Sequence, residues 1–232
     1  MTETSYTPLT FETEIFGKPV WRLNDISCAR EVVHLAQKQN VTIISYRENG
    51  SEEDLSFLEQ AGFYSVEMLT TLERKINPET KWPDHIQIAN IDDASSVAEI
   101  AGKCFSDDRY HIDKAIDNKI ADAIKSQWMY NAVSGRADIV FLYKEAGKIL
   151  GFNSCMLRDK VASIDLIGVL PNLQRRGVGK ALVQAMENHY AGKAAFLRLG
   201  TQAANLKSQK FYQKLGFQEI YRRQTWHWTN KS

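Results

Sequence analysis

A short segment rich in glycine and positive charge is the part of this chain best suited to chemistry. It consists of Gln174-Arg175-Arg176-Gly177-Val178-Gly179-Lys180 and lies between an apolar stretch and an amphipathic one. Two glycines allow a tight turn that brings backbone N–H groups to one point, and a helix beginning at Val178 would add the positive end of its dipole. The spacing therefore predicts a cradle for a pyrophosphate. The alternative is a basic surface turn that caps a helix.

Two common phosphate-binding motifs do not fit this segment. A Walker A loop needs a glycine five residues before Gly179, where Gln174 stands, and a Ser or Thr where Ala181 stands. A dinucleotide-binding fingerprint needs Gly or Ala at the position of Leu182. A different phosphate-bearing cofactor is therefore expected.

The residues around this segment resemble the acetyl-CoA-binding signature of the GCN5-related N-acetyltransferase (GNAT) superfamily. The matching residues, in family order, are Leu166-Ile167-Gly168-Val169-Leu170-Pro171, the segment 174–179, Asn205, Tyr212, Gly216 and Phe217. This resemblance extends over residues 86–232. It implies an α+β fold, in which a mixed central β-sheet is flanked by helices, and acetyl-CoA as the co-substrate.

The resemblance also implies roles for individual residues. Backbone groups of Ile167 and Val169 would pair with the pantetheine arm, residues 174–180 would hold the pyrophosphate, and Asn205 would bind the arm from the other side. Tyr212 would protonate the leaving thiolate as general acid. A backbone N–H group, that of Val169, would stabilise the oxyanion. The alternative for Tyr212 is a core aromatic residue at the end of a helix.

The sequence does not identify the base that accepts the proton of the amine. Ser163 stands where some relatives carry Glu, and alternation predicts that Asp165 shares a strand face with Ser163 and Ile167. Further candidates lie in the loop that typically borders the acceptor, namely Asp107, Asp108 and His111. Each of these has the alternative of being a solvated polar residue. A water relay is expected in preference to any of them.

The apolar pattern predicts the elements that position these groups. Strands are predicted at 86–88, 139–143, 149–157, 161–169, 196–199 and 219–228. Helices are predicted from Asp92 or Asp93 to about 105, and at 113–133, 178–189 and 205–215, with a polar loop at 107–110. Short turns containing Gly or Asp join the strands within 139–169, which predicts an antiparallel meander. Strands with helices packed around them indicate the α+β class.

The N-terminal third contains a degenerate copy of the C-terminal pattern. With an offset of 154 residues and no gaps, 42–46 falls on 196–200, 58–63 on 212–217 and 68–73 on 222–227. Both copies have the order strand, helix, Gly, Phe, strand, in which the Gly supplies a left-handed helix cap. The alternative is chance, because a helix, a Gly and a strand often follow one another.

The repeat predicts two domains joined by the polar segment 77–83. Residues 1–80 would form a half-GNAT-like α/β domain, and residues 86–232 the catalytic domain. The first would be catalytically silent, because Leu58 replaces the tyrosine and Ser51 the asparagine. It would brace the catalytic sheet and wall the acceptor site.

A weaker resemblance covers the whole chain and concerns the acceptor. Phe16-Gly17 and the segments 58–63, 104–110 and 127–135 are similar to dTDP-fucosamine acetyltransferases, which acetylate dTDP-linked 4-amino-4,6-dideoxy sugars for surface glycans. This resemblance implies a nucleotide-linked amino sugar as acceptor. Phe16, Arg109, Tyr110 and Trp128 would contact it, because aromatic rings stack on bases or sugars and Arg pairs with phosphate. For Phe16 and Trp128, core packing is the alternative.

Composition limits the partners. The 29 Lys+Arg and 28 Asp+Glu give a net charge of +1, so nucleic-acid binding is not expected. Cys28, Cys104 and Cys155 are isolated, so neither a disulfide framework nor a metal site is expected. No apolar run reaches the ~18 residues of a membrane span. We expect a cytoplasmic enzyme with a small-molecule acceptor, and a homodimer is left open. Alternatives are acetylation of another amine (a protein N-terminus, a polyamine or an antibiotic) and a non-catalytic CoA-binding module.

Overall fold

The fold is one mixed β-sheet with helices on both of its faces. A computed structural model describes residues 5–48 and 54–230. The strands are β1 (Tyr6–Pro8), β2 (Val20–Leu23), β3 (Ile43–Arg47), β4 (Tyr64–Lys75), β5 (Ile86–Ile88), β6 (Ile139–Glu145), β7 (Lys148–Arg158), β8 (Val161–Val169), β9 (Phe196–Gln202) and β10 (Gln218–Thr229). The helices are α1 (Thr10–Phe16), α2 (Ala29–Lys38), α3 (Ser56–Gln60), α4 (Ala94–Ala101), α5 (Arg109–Ile112), α6 (Asn118–Asn131), α7 (Val178–Tyr190) and α8 (Leu206–Lys214).

The strand order of the sheet is β1-β2-β3-β10-β4-β9-β8-β7-β6-β5. The predicted meander of β6, β7 and β8 is confirmed, and both of its pairings are antiparallel. β8 and β9 are parallel, but their pairing extends only from Val161 opposite Phe196 to Ser163 opposite Arg198. Beyond these residues the two strands separate. The mixed α+β sheet therefore contains an opening between its central strands.

The repeat predicted from the sequence is visible in the backbone. β4 spans residues 64–75 and β10 spans 218–229, so both bounds differ by the predicted 154 residues. Gly62 and Gly216, which precede these strands, have φ values of +84° and +85°. Such values are readily adopted by Gly, which is why a Gly ends each helix.

The residue after each of these glycines also repeats. Phe63 and Phe217 are both buried, and their N–H groups donate to the carbonyls of Leu58 and Tyr212, each at 3.0 Å. Leu58 is itself fully buried, so the position equivalent to Tyr212 serves packing in the N-terminal copy. Ser51, the other substituted position, lies outside the described residues.

The two copies exchange their last strands. β10 pairs with β3, β4 pairs with β9, and β4 and β10 pair with each other, all antiparallel. Within the central pair Leu69 lies opposite Arg223, which is its own counterpart in the repeat. Residues 1–80 and 86–232, predicted as two domains, therefore contribute interleaved strands to one sheet.

Some predicted helix starts are wrong in detail. The residues that cap the helices lie in polar stretches, where no apolar periodicity indicates the first residue of the helix. The side chain of Asn90, rather than Asp92 or Asp93, caps a short turn that precedes α4, and Asp93 accepts the N–H of Asn90 in return. The predicted loop 107–110 contains the start of α5, which Asp108 caps. The helix predicted from residue 113 begins at Asn118, behind the cap Asp117.

The segment between the two copies is held against α7 by a buried carboxylate. Glu187, on α7, accepts hydrogen bonds from Arg74 Nη1 at 2.5 Å, from the N–H of Asn77 at 2.8 Å and from Thr80 Oγ1 at 2.7 Å. Burial acts to raise the pKa of Glu187, but these donors outweigh it and hold the pKa below its usual value. The carboxylate is therefore ionised, and it fixes the chain between β4 and β5.

Replacing Glu187 by Ala is expected to lower the free energy of unfolding by about 3–5 kcal/mol, because it leaves the largely buried Arg74 without its counter-charge. Urea unfolding of the two proteins measures the difference. The control is Glu219→Ala, which removes the exposed partner of Arg222 and is expected to leave the urea midpoint nearly unchanged. Equal midpoint shifts for both variants would contradict the assignment.

Candidate active site

The backbone of β8 presents hydrogen-bonding groups to the opening between β8 and β9. At the end of the β7–β8 ladder, the N–H of Leu170 donates to the carbonyl of Leu150 at 3.1 Å. Alternate residues of an antiparallel ladder face its partner strand, so the intervening residues Ile167 and Val169 direct their N–H groups away from β7. Gln174 Nε2 donates to the carbonyl of Val169 at 3.4 Å. The two predicted pantetheine-binding residues thus offer N–H donors at the open edge.

The predicted phosphate cradle connects β8 to α7. Arg175 and Gly177 have φ values of +65° and +86°, and Gly177 occupies the N-terminal cap position of α7 with no side-chain cap. The first N–H groups of α7 therefore have neither an intrahelical acceptor nor a capping side chain. Arg176 and Lys180 are exposed beside them, and Arg176 Nη2 lies 3.6 Å from Glu145 Oε2. Uncapped donors, a helix dipole and exposed cationic side chains suit a pyrophosphate.

The two residues that follow Gly177 hold the start of α7 against the core. Val178 is buried and belongs to the core around α7. A Cβ atom at Gly179 would lie 3.2 Å from Cζ of Phe211 on α8, which is closer than ordinary packing. Gly179 therefore allows α7 and α8 to approach, and it sets the position of the cradle relative to Tyr212.

Tyr212 is buried on α8 in the same core as Ile167 and Val169. Its ring makes edge contacts with Phe211 and Phe217, with centroids 4.9 Å and 5.6 Å away. Burial raises the pKa of Tyr212 well above its usual value, so the phenol is protonated at neutral pH. A proton donor is thus available in the core that faces the opening.

Asn205, the other predicted cofactor contact on this side, caps α8. Its Oδ1 accepts the N–H of Ser208 at 3.0 Å, and its Nδ2 donates to Asp107 Oδ2 at 3.3 Å. The amide Nδ2 carries two hydrogens, so one of them is left to donate to the pantetheine arm. The structure thus assigns Asn205 a structural duty that the sequence motif does not reveal.

A polar row crosses four strands at the end of β9. Gln202 Nε2 donates to Glu67 Oε2 at 3.1 Å, and Arg47 Nη2 donates to Glu67 Oε1 at 2.9 Å. Arg47 Nε also donates to Thr225 Oγ1 at 2.9 Å. Glu67 is buried, and Gln202 ends β9 where that strand has separated from β8. We call the face of β4, β9 and β10 that carries Glu67, Gln202 and Thr225 the polar face.

Glu67 and Arg47 are not predicted from the sequence. An isolated charged residue in a strand belongs to no motif, and its partners come from strands far away in the chain. One signal was available. Residues 64–75 have the alternating apolar pattern of a strand, and they include the carboxylate of Glu67. A charge in such a strand needs a partner if it is buried.

The four residues predicted to contact the acceptor lie in one cluster. The Arg109 guanidinium stacks 4.5 Å above the ring of Tyr110, whose hydroxyl donates to Glu12 Oε1 at 3.1 Å. Phe16 and Trp128 pack against the apolar residues around Tyr110. Tyr110 is buried, whereas the other three keep some exposure. The structure brings these residues together, and their role in binding stays a prediction.

Asp165 faces away from Ile167, so that part of the prediction is wrong. The pairing of β7 with β8 shifts by one residue around Asp165, which is a β-bulge. Ile167 consequently packs toward α7, while Asp165 Oδ2 accepts hydrogen bonds from Trp128 Nε1 at 2.8 Å and Arg136 Nη2 at 2.5 Å. A bulge interrupts the period of two on which the prediction rested.

The loop candidates for the base are engaged in structural contacts. His111 lies between Asp108, at 2.6 Å from Nδ1, and Asp122, at 3.1 Å from Nε2. Both ring nitrogens are therefore occupied. Burial acts to lower the pKa of His111, but the bonds to the two carboxylates outweigh it and raise the pKa above its usual value. Asp107 is bonded to Asn205. The water relay stays a prediction.

The clamp of His111 between α5 and α6 predicts a pH dependence of stability. A His with a raised pKa contributes stability that is fully present below its unfolded pKa of about 6.5 and is lost as the pH rises through the folded pKa. We therefore expect the free energy of unfolding to fall as the pH is raised from 6 upwards.

Urea unfolding at several pH values measures this slope. His111→Gln is expected to flatten it, whereas His34→Gln, at an exposed position on α2, is expected to leave it unchanged. Burial lowers the pKa of His227, so His227 acts on the slope in the opposite direction to His111. An unaltered slope in His111→Gln would contradict the assignment.

The fold and the opening next to an uncapped helix define the class of protein. Residues 95–217 match the family model described as the acetyltransferase (GNAT) family, which is more than half of the chain. The chain belongs to the GNAT family of acetyltransferases, whose fold depends on acetyl-CoA. The expected fold class is confirmed.

One curated protein is similar in sequence to part of this chain. The chain is 26% identical over 126 residues to the spore coat polysaccharide biosynthesis protein SpsD of Bacillus subtilis (strain 168). That match covers 54% of this chain and 44% of SpsD, so it spans less than half of the relative.

Solved structures of similar fold cover nearly the whole chain. A conserved protein of unknown function from Staphylococcus epidermidis has a TM-score of 0.69 at 14% identity, covering 99% of this chain and 93% of that one. A tandem GNAT protein from the clavulanic acid biosynthesis pathway has a TM-score of 0.62 at 14% identity, covering 93% and 77%. At such identities the similarity concerns the fold.

Within the described residues, no group of three or more His, Cys, Asp or Glu side chains is placed to hold a metal ion. No helix in the same parts of the chain is long and apolar enough to cross a membrane.

Proposed function

We propose that this acetyltransferase acetylates the amino group of a nucleotide-linked amino-deoxy sugar, of the dTDP-4-amino-4,6-dideoxyhexose type. One observation carries the choice of acceptor: three carboxylates of the central strands are already paired with arginines. The pairs are Glu67 with Arg47 at 2.9 Å, Glu73 with Arg198 at 2.5 Å and Asp165 with Arg136 at 2.5 Å.

Paired carboxylates disfavour a cationic acceptor. A polyamine or an aminoglycoside antibiotic carries several positive charges and is best held by free acidic groups. A phosphate-bearing acceptor does not need free acidic groups and instead matches arginines and aromatic rings. The relative SpsD, named for polysaccharide biosynthesis, supports an acceptor destined for a glycan.

In the proposed reaction the chain supplies positioning, an oxyanion donor and a proton. Bound acetyl-CoA supplies the acetyl group as a thioester. The N–H group of Val169 would stabilise the oxyanion that forms when the amine nitrogen bonds to the carbonyl carbon. Tyr212 would give its proton to sulfur as the C–S bond breaks, and the phenolate would regain a proton from solvent.

The amine must lose a proton as it is acylated. We propose that this proton leaves through water toward Glu67, which lies beside the opening and is held by Gln202 and Arg47. Ser163 has no carboxylate to take that role. This assignment makes Glu67 the acceptor of the relay that the sequence could not name.

An acceptor screen tests the proposal. The purified protein and acetyl-CoA are mixed with amino-sugar nucleotides, free amino sugars, polyamines, aminoglycosides and peptides, and thiol release and product mass are recorded. We expect turnover with a dTDP-linked 4-amino sugar, at a kcat/KM at least 100-fold above that of any other class. Turnover confined to polyamines, antibiotics or peptides would overturn the acceptor. Acetyl-CoA binding without any turnover would indicate a non-catalytic module.

A further inference from the structure

We propose that Arg223 and Tyr221 of β10 form the subsite that holds the nucleoside diphosphate of the acceptor. This inference rests on the proposed function, and it assigns residues that neither the sequence motif nor the GNAT signature includes. It would take a ligand with a diphosphate and an aromatic base. The sugar amine would then point toward Glu67.

Strand pairing places Arg223 and Tyr221 on the polar face. Leu69 lies opposite Arg223 on one side and opposite Gln202 on the other, and directly opposed residues of antiparallel strands share a face. Glu67 and Thr225, two residues from Leu69 and Arg223, are on the same face and hydrogen-bond at 3.3 Å. The region 221–225 of β10 contains no register shift that would reverse a side chain.

Arg223 carries a charge that the protein does not neutralise. Arg47 and Arg198, on the same face, have carboxylate partners, whereas Arg223 has none in the described part of the chain. Its Nε is buried without a hydrogen-bond partner. An unmatched donor of this kind is costly unless a ligand supplies the acceptor. A guanidinium fork fits a phosphate with two parallel hydrogen bonds.

Tyr221 fixes the guanidinium and supplies an aromatic surface. The Arg223 guanidinium carbon lies 4.6 Å from the centre of the Tyr221 ring. Tyr221 is 37% exposed, so ring surface remains for a base to stack on. Tyr221 lies opposite Thr71, which in turn lies opposite Gly200, and Gly200 adds no side chain to this part of the face.

The spacing fits the acceptor. Residues two apart on one strand face are separated by about 7 Å. Arg223 is one such step from Thr225, which contacts Glu67, so one hexose ring can bridge the phosphate site and the relay carboxylate. The amine of a 4-amino sugar lies across the ring from its anomeric phosphate. That arrangement places the amine toward the opening between β8 and β9.

Titration of dTDP into the acetyl-CoA-loaded protein, together with steady-state kinetics, tests the inference. Arg223→Gln is expected to weaken dTDP binding and to raise the KM of the nucleotide-linked amino sugar by about 10- to 100-fold, while the KM of acetyl-CoA stays within twofold. Arg223→Lys keeps the positive charge but loses the two parallel hydrogen bonds of the guanidinium. Its KM for the nucleotide-linked amino sugar is therefore expected to lie between those of the wild type and Arg223→Gln. Tyr221→Leu is expected to weaken dTDP but not inorganic pyrophosphate as an inhibitor.

The neighbouring arginine is the matched control. Arg222 points to the other side of the strand and pairs with Glu219 at 2.8 Å, so Arg222→Gln should leave all of these constants unchanged. Thermal melts confirm that the variants fold. If the wild type acetylates the nucleotide sugar and Arg223→Gln does so with the same KM, this inference is overturned and the proposed function stands. If the wild type acetylates only amines without a nucleotide, the proposed function itself fails.

Discussion

Tyr212→Phe is expected to lower kcat by about 10²- to 10³-fold while the Kd for acetyl-CoA stays within twofold. General-acid catalysis by a positioned side chain typically contributes rate factors of this size. The substitution removes one oxygen and keeps the ring, so the contacts with Phe211 and Phe217 and the packing of the core persist. The loss should therefore fall on the chemical step and not on cofactor binding.

Single-turnover kinetics and calorimetry separate the two effects. The matched control is Tyr190→Phe, because Tyr190 belongs to the same core and its buried hydroxyl has no hydrogen-bond partner in the described residues. That variant is expected to keep its kcat. If Tyr212→Phe and Tyr190→Phe have equal kcat values, the hydroxyl of Tyr212 has no part in the reaction.

The pH profile gives a second test of the same assignment. Because burial raises the pKa of Tyr212, its phenol stays protonated through the range in which the enzyme can be assayed. Loss of activity between pH 8 and 10 should therefore be the same in the wild type and in Tyr212→Phe, since other groups cause it. A falling limb that disappears in Tyr212→Phe would show that Tyr212 titrates between pH 8 and 10, which would contradict its raised pKa.

The parts of the fold that could be predicted from sequence are those with a local physical signature. The meander of β6, β7 and β8 follows from alternating apolar residues and short turns. The loop 174–180 has a spacing of glycines and basic residues that few functions other than phosphate binding need. The repeat was detectable because Gly62 and Gly216 must both adopt positive φ. Gly is therefore kept at both positions, although the other residues of the two copies differ.

The parts that could not be predicted depend on contacts between distant segments. Nothing in residues 43–47 or 64–75 indicates that β10 would insert between them, because strand order carries no local pattern. Glu67 gains its meaning only from Arg47 and Gln202, which lie 20 and 135 residues away. The bulge at Asp165 likewise depends on the pairing with β7 and defeats any argument from alternation.

The candidate site shows the same division. Backbone donors of Ile167, Val169 and the start of α7 follow from the family resemblance, because Gly residues and a strand-to-helix junction prescribe them. The acceptor side is built from single side chains on separate strands and from the short helix α5. These side chains come together only in the folded chain, so the polar face and Arg223 could be identified only from the structure.

Deleting residues 1–80 is expected to abolish folding of the remaining chain. The deletion removes β1 to β4, which takes both neighbours from β10 and one neighbour from β9. It also exposes Trp226 and Trp228, which are buried against residues of the N-terminal half. Unpaired central strands and exposed aromatic side chains favour aggregation. The fragment 81–232 should be insoluble or unfolded by circular dichroism.

Cleavage of the connecting segment is the matched control. A protease site placed after the exposed Trp82 breaks the chain but keeps every strand. The nicked protein is expected to stay folded and active, since β10 holds β3 and β4 by backbone pairing and not through the connection. If the deleted chain folds and acetylates its acceptor at the rate of the intact protein, residues 1–80 form a separable appendage. If the nicked protein falls apart, strand exchange alone does not hold the two copies together.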